Sequence, residues 1–339
     1  KKYLPNDSRS YNYTYNPLNQ LLDIMQKGRQ SPIETVFNYD KNGSLISQAE
    51  TQGKATRTTT YGYDYLNRLN NVVTPESKTV TIDNLPDGFN RTAKTTETGS
   101  TRYFHDGMNV ISEYGTTGSR TVRYTLGAGT DEIHVREDAS GTYFYHYDGL
   151  GSVAAITDAT GKVIAKYDYE PFGRMKETST STIDNPYTFT GRELDKETGL
   201  YYYRARYYDS MDGRFTQVDP IPLKNRTQDQ LNSYTYAANN PINFTDPTGE
   251  NIYGNWCGPG GSGPTQDGVD KICKKHDKCF DKSGATWINN VYGTSDKNKE
   301  KCMDDCNKEL CDDLKNYIPI TYSEIFGRRK IMLFFRCSN

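Results

Sequence analysis

One theme recurs through the first part of the chain. Aromatic and polar residues alternate, a turn follows at Asp-Gly, Asn-Gly or Leu-Gly, and an apolar run resumes. It reads FNYDKNGSLI at 37–46, YGYDYLNRLNNV at 61–72, FYHYDGLGSVAAI at 144–156 and YDYEPFGR at 167–174. Alternation with period two puts one face of each run in a core and the other toward water, the pattern of a half-buried strand. The turn residues tolerate positive φ, which tight hairpins need. One hairpin cannot bury its own apolar face, so repeated hairpins stack into an extended sheet.

Composition supports an aromatic sheet. Only 34% of the 339 residues are hydrophobic, but 28 are tyrosine. Tyrosine buries a large ring and keeps a polar tip, so it can build a sheet core. The length suits two or three domains. A formal net charge of −2 exerts no long-range pull on nucleic acid. The sequence has no apolar run long enough for a membrane-spanning helix. It opens on KKYLPNDS, without the apolar stretch of a signal peptide and without Met, and reads as a piece of something longer. All seven cysteines lie after residue 250. A small cysteine-dense segment implies disulfides or a metal site, and the composition break near Gly249 marks a boundary.

The tyrosine-rich theme resembles the YD repeats of the Rhs family and its teneurin and Tc-toxin relatives. The likeness sharpens at 185–249, where NPYTFTGRELDKETGLYYYRARYYDSMDGRFTQVDPI and SYTYAANNPINFTDPTGE resemble the Rhs-associated core segment. The resemblance implies three parts: a β-sheet of YD repeats at 1–184, a core segment at 185–250 and a toxin domain at 251–339. In that family the repeats form a hollow shell that encloses or carries a variable C-terminal toxin. Residues 1–250 are too few for a closed shell, so either more shell lies upstream or the sheet is reduced and open. The family junction, P-x-x-x-x-D-P-x-G-L, reads here as Pro241 through Asp246, Pro247 and Gly249 to Glu250. Glu250 stands where the family has Leu, after which its members cut themselves with paired aspartates. Asp246 matches the motif aspartate and Asp219 is its candidate partner. One carboxyl that holds a proton beside one that does not can do such work. The plainer reading of Asp246-Pro247 is a turn.

After the boundary, YGNWCGPGGSG at 253–263 precedes DKICKKHDKCF at 270–280. A glycine-rich loop can turn its carbonyls inward, and with the carboxylate of Asp277 it suits a hard cation such as calcium. From Asp267 the spacing of Val269, Ile272, Cys273, His276 and Phe280 predicts a helix. It places His276 on the inward stripe, where a neutral imidazole beside a cation is a general base for water.

These two segments resemble secreted phospholipase A2. That resemblance implies a small, mainly α, disulfide-linked domain with calcium as cofactor. The carbonyls of Trp256, Gly258 and Gly260 and the carboxylate of Asp277 would bind the ion. His276 would be the base, and the Gly258 amide an oxyanion donor. It also implies a Cys257–Cys273 disulfide. A second helix is expected at 301–317, with Met303, Cys306, Leu310, Leu314 and Tyr317 on its apolar stripe. The family aspartate that orients the histidine falls at Asn307, with Cys306 then paired to Cys279. Asp304 or Asp305 takes that place in a shifted register. Asparagine can accept from the imidazole N–H but cannot offset an imidazolium charge. Cys273, His276 and Cys279 also spell a possible start of a zinc site. The tail IFGRRKIMLFFRC at 325–337 suits either a closing strand or an anionic membrane surface.

The expectation is thus multi-domain. An antiparallel β-repeat carries a calcium-dependent phospholipase A2 delivered against target membranes, with a cognate immunity protein implied and no nucleic acid as partner. Two other functions stay open: a phospholipase-like domain that binds lipid without turnover, and a teneurin-type adhesion protein.

Overall fold

The computed structural model describes residues 2–3, 10–28, 31–85, 90–127, 131–220 and 231–250, with 275, 308–310 and 312–313 toward the C-terminus. The chain divides into two compact units. One comprises Lys1–Pro220 with Gln228–Glu250, and the other Ile221–Thr227 with Asn251–Asn339.

In the first unit a sheet of 17 strands runs from β1 (Lys2–Tyr3) to β17 (Thr180–Ser181). Each strand is hydrogen-bonded antiparallel to the next, so the sheet is a continuous meander. Among the described residues no pairing joins β1 to β17.

The repeated turns share one mechanism. Asn16, Asp40, Asp64, Asp148 and Asp158 each accept two backbone N–H bonds with Oδ1, from the second and fourth residues that follow. The short side chain thereby stands in for a backbone acceptor in the turn. The third residue on takes positive φ: Asn19, Gly43, Asn67, Gly151 and Gly161. Only Gly and Asn adopt that conformation at little cost, which explains the Asp-x-x-Gly/Asn spacing. The residue before each of the first four capping side chains (Tyr15, Tyr39, Tyr63 and Tyr147) sits at a register shift of the ladder. The rings of Tyr39, Tyr63 and Tyr147 turn inward, whereas Tyr15 stays exposed. The hydroxyls of Tyr63 and Tyr147 donate to the carbonyls of Leu45 and Ile133, each at 2.8 Å. The Tyr39 hydroxyl instead accepts from the Leu21 backbone. The tyrosine and the aspartate of the theme therefore do separate jobs: the first ties a turn to an earlier strand, and the second closes the turn.

A second sheet has four strands, β18 (Glu193–Asp195), β19 (Leu200–Tyr203), β20 (Arg206–Asp209) and β21 (Arg214–Phe215). Its Leu200, Tyr202 and Tyr207 share a core with Leu21, Phe37, Leu69, Val72 and Ile82 of the meander. Burying each such apolar side chain stabilises by roughly 1.5–3 kcal/mol. The opposite alternates, Tyr201, Tyr203 and Tyr208, pack with Phe189, Phe215 and Tyr236.

Buried ions tie the two sheets together. Arg91, at the start of β9 (Arg91–Thr96), pairs with Glu193 at 2.6 Å and Asp195 at 2.7 Å. Its guanidinium also lies over the rings of Tyr103 and Tyr202. Burial works against the Asp195 charge, but Arg91 and Lys94 outweigh it and hold the carboxyl below its usual range. Asp131 receives both Arg192, at 2.5 Å, and Arg204, at 2.6 Å.

The fold class needs correction. Among the described residues the structure is nearly all antiparallel β, and a small, mainly α, disulfide-linked domain is not among them. Helix among the described residues is confined to 275, 308–310 and 312–313, apart from two short 3-10 turns. Helical spacing at 267–280 and 301–317 speaks only for short charged stretches, where 275, 308–310 and 312–313 are helical, whereas the hairpin theme governs most of the chain. In the second unit Lys275 pairs with Glu309 at 2.8 Å and Asp313 at 2.9 Å, and Leu310 is buried. All seven cysteines lie outside the described residues, and with them Cys257–Cys273 and Cys279–Cys306. Among the described residues no helix is long and apolar enough to cross a membrane.

Two substitutions at matching turns should separate backbone strain from packing. At Gly161 (φ +84°) a Cβ would meet nothing within 4 Å, whereas at Gly43 (φ +82°) it would overlap the Val218 side chain and lie 2.8 Å from the Tyr234 hydroxyl. Gly161→Ala should cost about 1 kcal/mol and Gly43→Ala about 2–4 kcal/mol in denaturant unfolding. Equal costs would refute the packing account. Asp131→Asn should cost about 3–5 kcal/mol in the same assay, because two buried guanidiniums lose their common counter-charge. A cost under about 1 kcal/mol would mean that the ions are not a structural tie.

Candidate functional site

Arg206 opens β20 and is buried to 1% exposure. Alternation fills this strand with aromatic neighbours, and the guanidinium lies 3.6 Å over the Phe215 ring. A charge so placed must be met by oxygen atoms. Nη2 donates to Asp219 Oδ2 at 3.1 Å and Asp246 Oδ2 at 3.4 Å. Nη1 donates to the Ser233 carbonyl at 3.0 Å, and Nε donates to the Gly249 carbonyl. One arginine thus gathers both expected aspartates and the backbone of the junction.

The junction is laid against β19 and β20 by its backbone. The Ala205 N–H donates to Thr248 O at 3.1 Å, and the Gly249 N–H donates to Asp246 O at 3.3 Å. Gly249 has φ +69°, and a Cβ there would overlap the Tyr203 carbonyl. The family glycine is therefore required here by both conformation and space. Arg204 donates to the Pro247 carbonyl from the other side. Asp219 is held by its own N–H, which donates to Ser233 O at 3.0 Å.

Both carboxylates are buried, Asp219 to 5% and Asp246 to 4% exposure. Burial pushes the Asp246 pKa up. Arg206 opposes the shift, Asp219 and Glu250 add to it, and the result is about 7. A carboxyl poised there can hold a proton at neutral pH, as a general acid requires. The arrangement offers a proton donor, a second carboxylate and a cation beside one peptide carbonyl.

A larger opening lies elsewhere in this unit. A cavity of 1490 Å³ is lined by residues that include Tyr13, Gln48, Asp209 and Asp212, but neither Asp219 nor Asp246. Asp209 Oδ1 is occupied by the amides of Met211 and Asp212, which makes it a turn cap. Size favours the cavity, but the chemistry converges on Arg206, so the junction is the better site.

The structure brings Asp219 and Asp246 together around Arg206. Sequence reasoning missed Arg206, Arg204 and Thr248. A signal existed for the arginines: in YYYRARYYD two charges sit among strand aromatics expected to be buried, and buried charges need partners. Trp256, Gly258, Gly260, His276, Asp277, Asp304, Asp305 and Asn307 lie outside the described residues.

Residues 112–242 match the teneurin YD-shell family. Among curated proteins the chain is 35% identical over 251 residues to the tRNA(Glu)-specific nuclease WapA of Bacillus subtilis subsp. natto, covering 73% of this chain and 10% of WapA. It is 30% identical to toxin subunit YenC1 of Yersinia entomophaga, covering 73% of this chain and 22% of that one. It is 26% identical over 286 residues to double-stranded DNA deaminase toxin A of Burkholderia cenocepacia, covering 72% of this chain and 20% of the relative. The chain therefore spans only a fraction of the length of each. A crystal structure of TcdB2-TccC3-Cdc42 aligns with 72% of this chain at 18% identity and a TM-score of 0.46.

Two expectations are overturned. The enzyme class of calcium-dependent phospholipase A2 is not supported: the enzymes among these relatives are named for tRNA cleavage and DNA deamination. The same names overturn the expected partners, a phospholipid membrane with no nucleic acid. The physical reason is that the phospholipase reading rested on one short loop-and-helix motif, and a motif is evidence only within its confirmed structural context. Net charge near zero likewise excludes only long-range steering, not a local nucleic-acid contact. Residues 112–242 thus match a teneurin YD-shell, and over 73% of its length the chain is similar to Rhs/YD-repeat toxins.

Proposed function

We propose that residues 1–249 carry the residues that follow as toxin cargo and release them by hydrolysing the Gly249–Glu250 peptide bond, one bond before the cut that the family resemblance implies. The observation that carries this reading is the convergence of Asp219, Asp246 and the Gly249 carbonyl on one buried arginine. Asp219 takes a proton from water as the water oxygen attacks the Gly249 carbonyl carbon. Asp246 gives its proton to the carbonyl oxygen, and Arg206 stabilises the charge that develops there. Collapse of the tetrahedral intermediate breaks the C–N bond. The proton on Asp219 passes to the leaving nitrogen and the hydroxyl proton returns to Asp246, which leaves a new carboxyl and a new amine.

Cargo freed in this way acts after delivery to a target cell. The activities for which the relatives are named make tRNA and duplex DNA the first substrates to assay. The sequence of the cargo supports a bound calcium ion, held by the carbonyls of Trp256, Gly258 and Gly260 with the Asp277 carboxylate. Calorimetric titration of the full chain with calcium should show binding that Asp277→Ala removes. Absence of calcium heat in the parent chain would retire the ion.

Incubation of the purified full chain should yield a fragment whose mass places the cut at 249–250, and Asp246→Asn or Asp219→Asn should leave the chain intact. The rate should fall as pH rises through about 7, where Asp246 loses its proton. Stability follows the same group. The folded carboxyl binds its proton more tightly than the unfolded one, with its ordinary pKa of 3.8, so burial of Asp246 weakens the fold increasingly from about pH 4 to 7. Asp246→Asn should therefore raise the melting temperature more at pH 8 than at pH 5. Cleavage that persists in both asparagine variants would defeat the proposal.

A further inference from the structure

The Thr248 hydroxyl touches three groups of the junction. It lies 3.4 Å from Asp246 Oδ1 and 3.3 Å from the Glu250 carbonyl oxygen, and it accepts from the Glu250 N–H at 3.3 Å. The hydroxyl carries one proton, so it cannot donate to the carboxylate and the carbonyl at once. Its oxygen, however, accepts from the Glu250 N–H in either case. That N–H belongs to the Gly249–Glu250 peptide, whose carbonyl is held by Arg206 Nε. The peptide plane is thereby gripped at both ends: the arginine takes its oxygen and the threonine takes its nitrogen. Thr248 is itself fastened by its own carbonyl, which accepts from Ala205 N–H at 3.1 Å.

We infer that Thr248 is a positioning residue for self-cleavage, its hydroxyl orienting the Gly249–Glu250 peptide plane and bonding the Asp246 carboxylate. This rests on the aspartate-pair reading above. Two consequences follow from the geometry. Loss of the hydroxyl frees the scissile N–H from its acceptor and lets the plane rotate, so the carbonyl carbon is less often aligned with the water and Asp246. Loss of the hydroxyl also removes a donor that favours the ionised Asp246, so Asp246 keeps its proton to higher pH. The first slows the reaction, and the second moves the alkaline fall of its pH profile upward. A residue that only filled space would do neither once the fold is intact.

The test measures self-cleavage of the full chain from pH 5 to 9 in the parent, Thr248→Val, Thr248→Ser and Asp246→Asn. Valine keeps the branched shape and removes the hydroxyl, and serine keeps the hydroxyl. Thr248→Val should cleave about tenfold more slowly at pH 6, with its alkaline limb moved to higher pH, and Thr248→Ser should match the parent in both. Thermal melting confirms that each variant is folded. If the valine variant does not fold, Thr248→Ala read against Thr248→Ser supplies the same comparison. Parent-like rate and pH profile without the hydroxyl would overturn the inference while Asp246→Asn still blocked cleavage. A slower rate with an unmoved alkaline limb would also overturn it, leaving Thr248 a structural part only. An intact parent chain, or cleavage that survives Asp246→Asn, would instead remove the aspartate-pair reading on which this rests.

Discussion

A guanidinium withdrawn from water must be surrounded by oxygen atoms, and this chain buries several of them in and beside one four-stranded sheet. Arg91 meets Glu193 and Asp195, while Arg192 and Arg204 share Asp131. Arg206 meets Asp219, Asp246 and two carbonyls. Apolar contact alone is non-directional and would let the small sheet slide on the meander. Buried ion pairs with fork geometry permit few arrangements, because a missed partner leaves a charge uncompensated. The arginines therefore select one docking of the core segment among the many that its tyrosines would tolerate.

The same constraint creates the candidate site. Arg206 draws the junction in through the Gly249 carbonyl and brings with it the Asp246 carboxyl, which loses its water. Desolvation then outweighs the arginine, and the carboxyl is left poised near neutrality. Such an arrangement costs stability above that pH, which is unusual for a purely structural carboxylate and ordinary for a functional one. Its location, where the first compact unit ends at Glu250, is where a release step would act.

The repeat theme was legible because its causes are local. An aspartate that caps its own turn, a Gly or Asn at positive φ three residues later and period-two alternation all lie within one hairpin. FNYDKNGSLI accordingly becomes a strand, an Asp40 turn with Gly43 at φ +82°, and the next strand. The tie from Tyr63 back to Leu45 was not legible, since it joins one repeat to another. Helical periodicity at 301–317 is equally local: 308–310 and 312–313 are helical, with Leu310 of the stripe buried. A stripe at 3.6-residue spacing describes how a segment could fold, and it carries no information about the class of the whole chain.

By itself the sequence determined the hairpin meander, the turn chemistry and the position of the junction with Asp246 at its centre, because each depends on neighbours a few residues away. Asp219 was already a candidate partner, but only the tertiary structure decided that both carboxylates meet on Arg206 and that the Thr248 hydroxyl accepts from the peptide beyond. Those relations depend on which buried surfaces meet across long sequence separations, and neither spacing nor composition encodes that. The same limit explains why the glycine loop and His276 suggested one chemistry while the relatives pointed to another: a motif states which atoms are at hand, and the fold around it decides what they do.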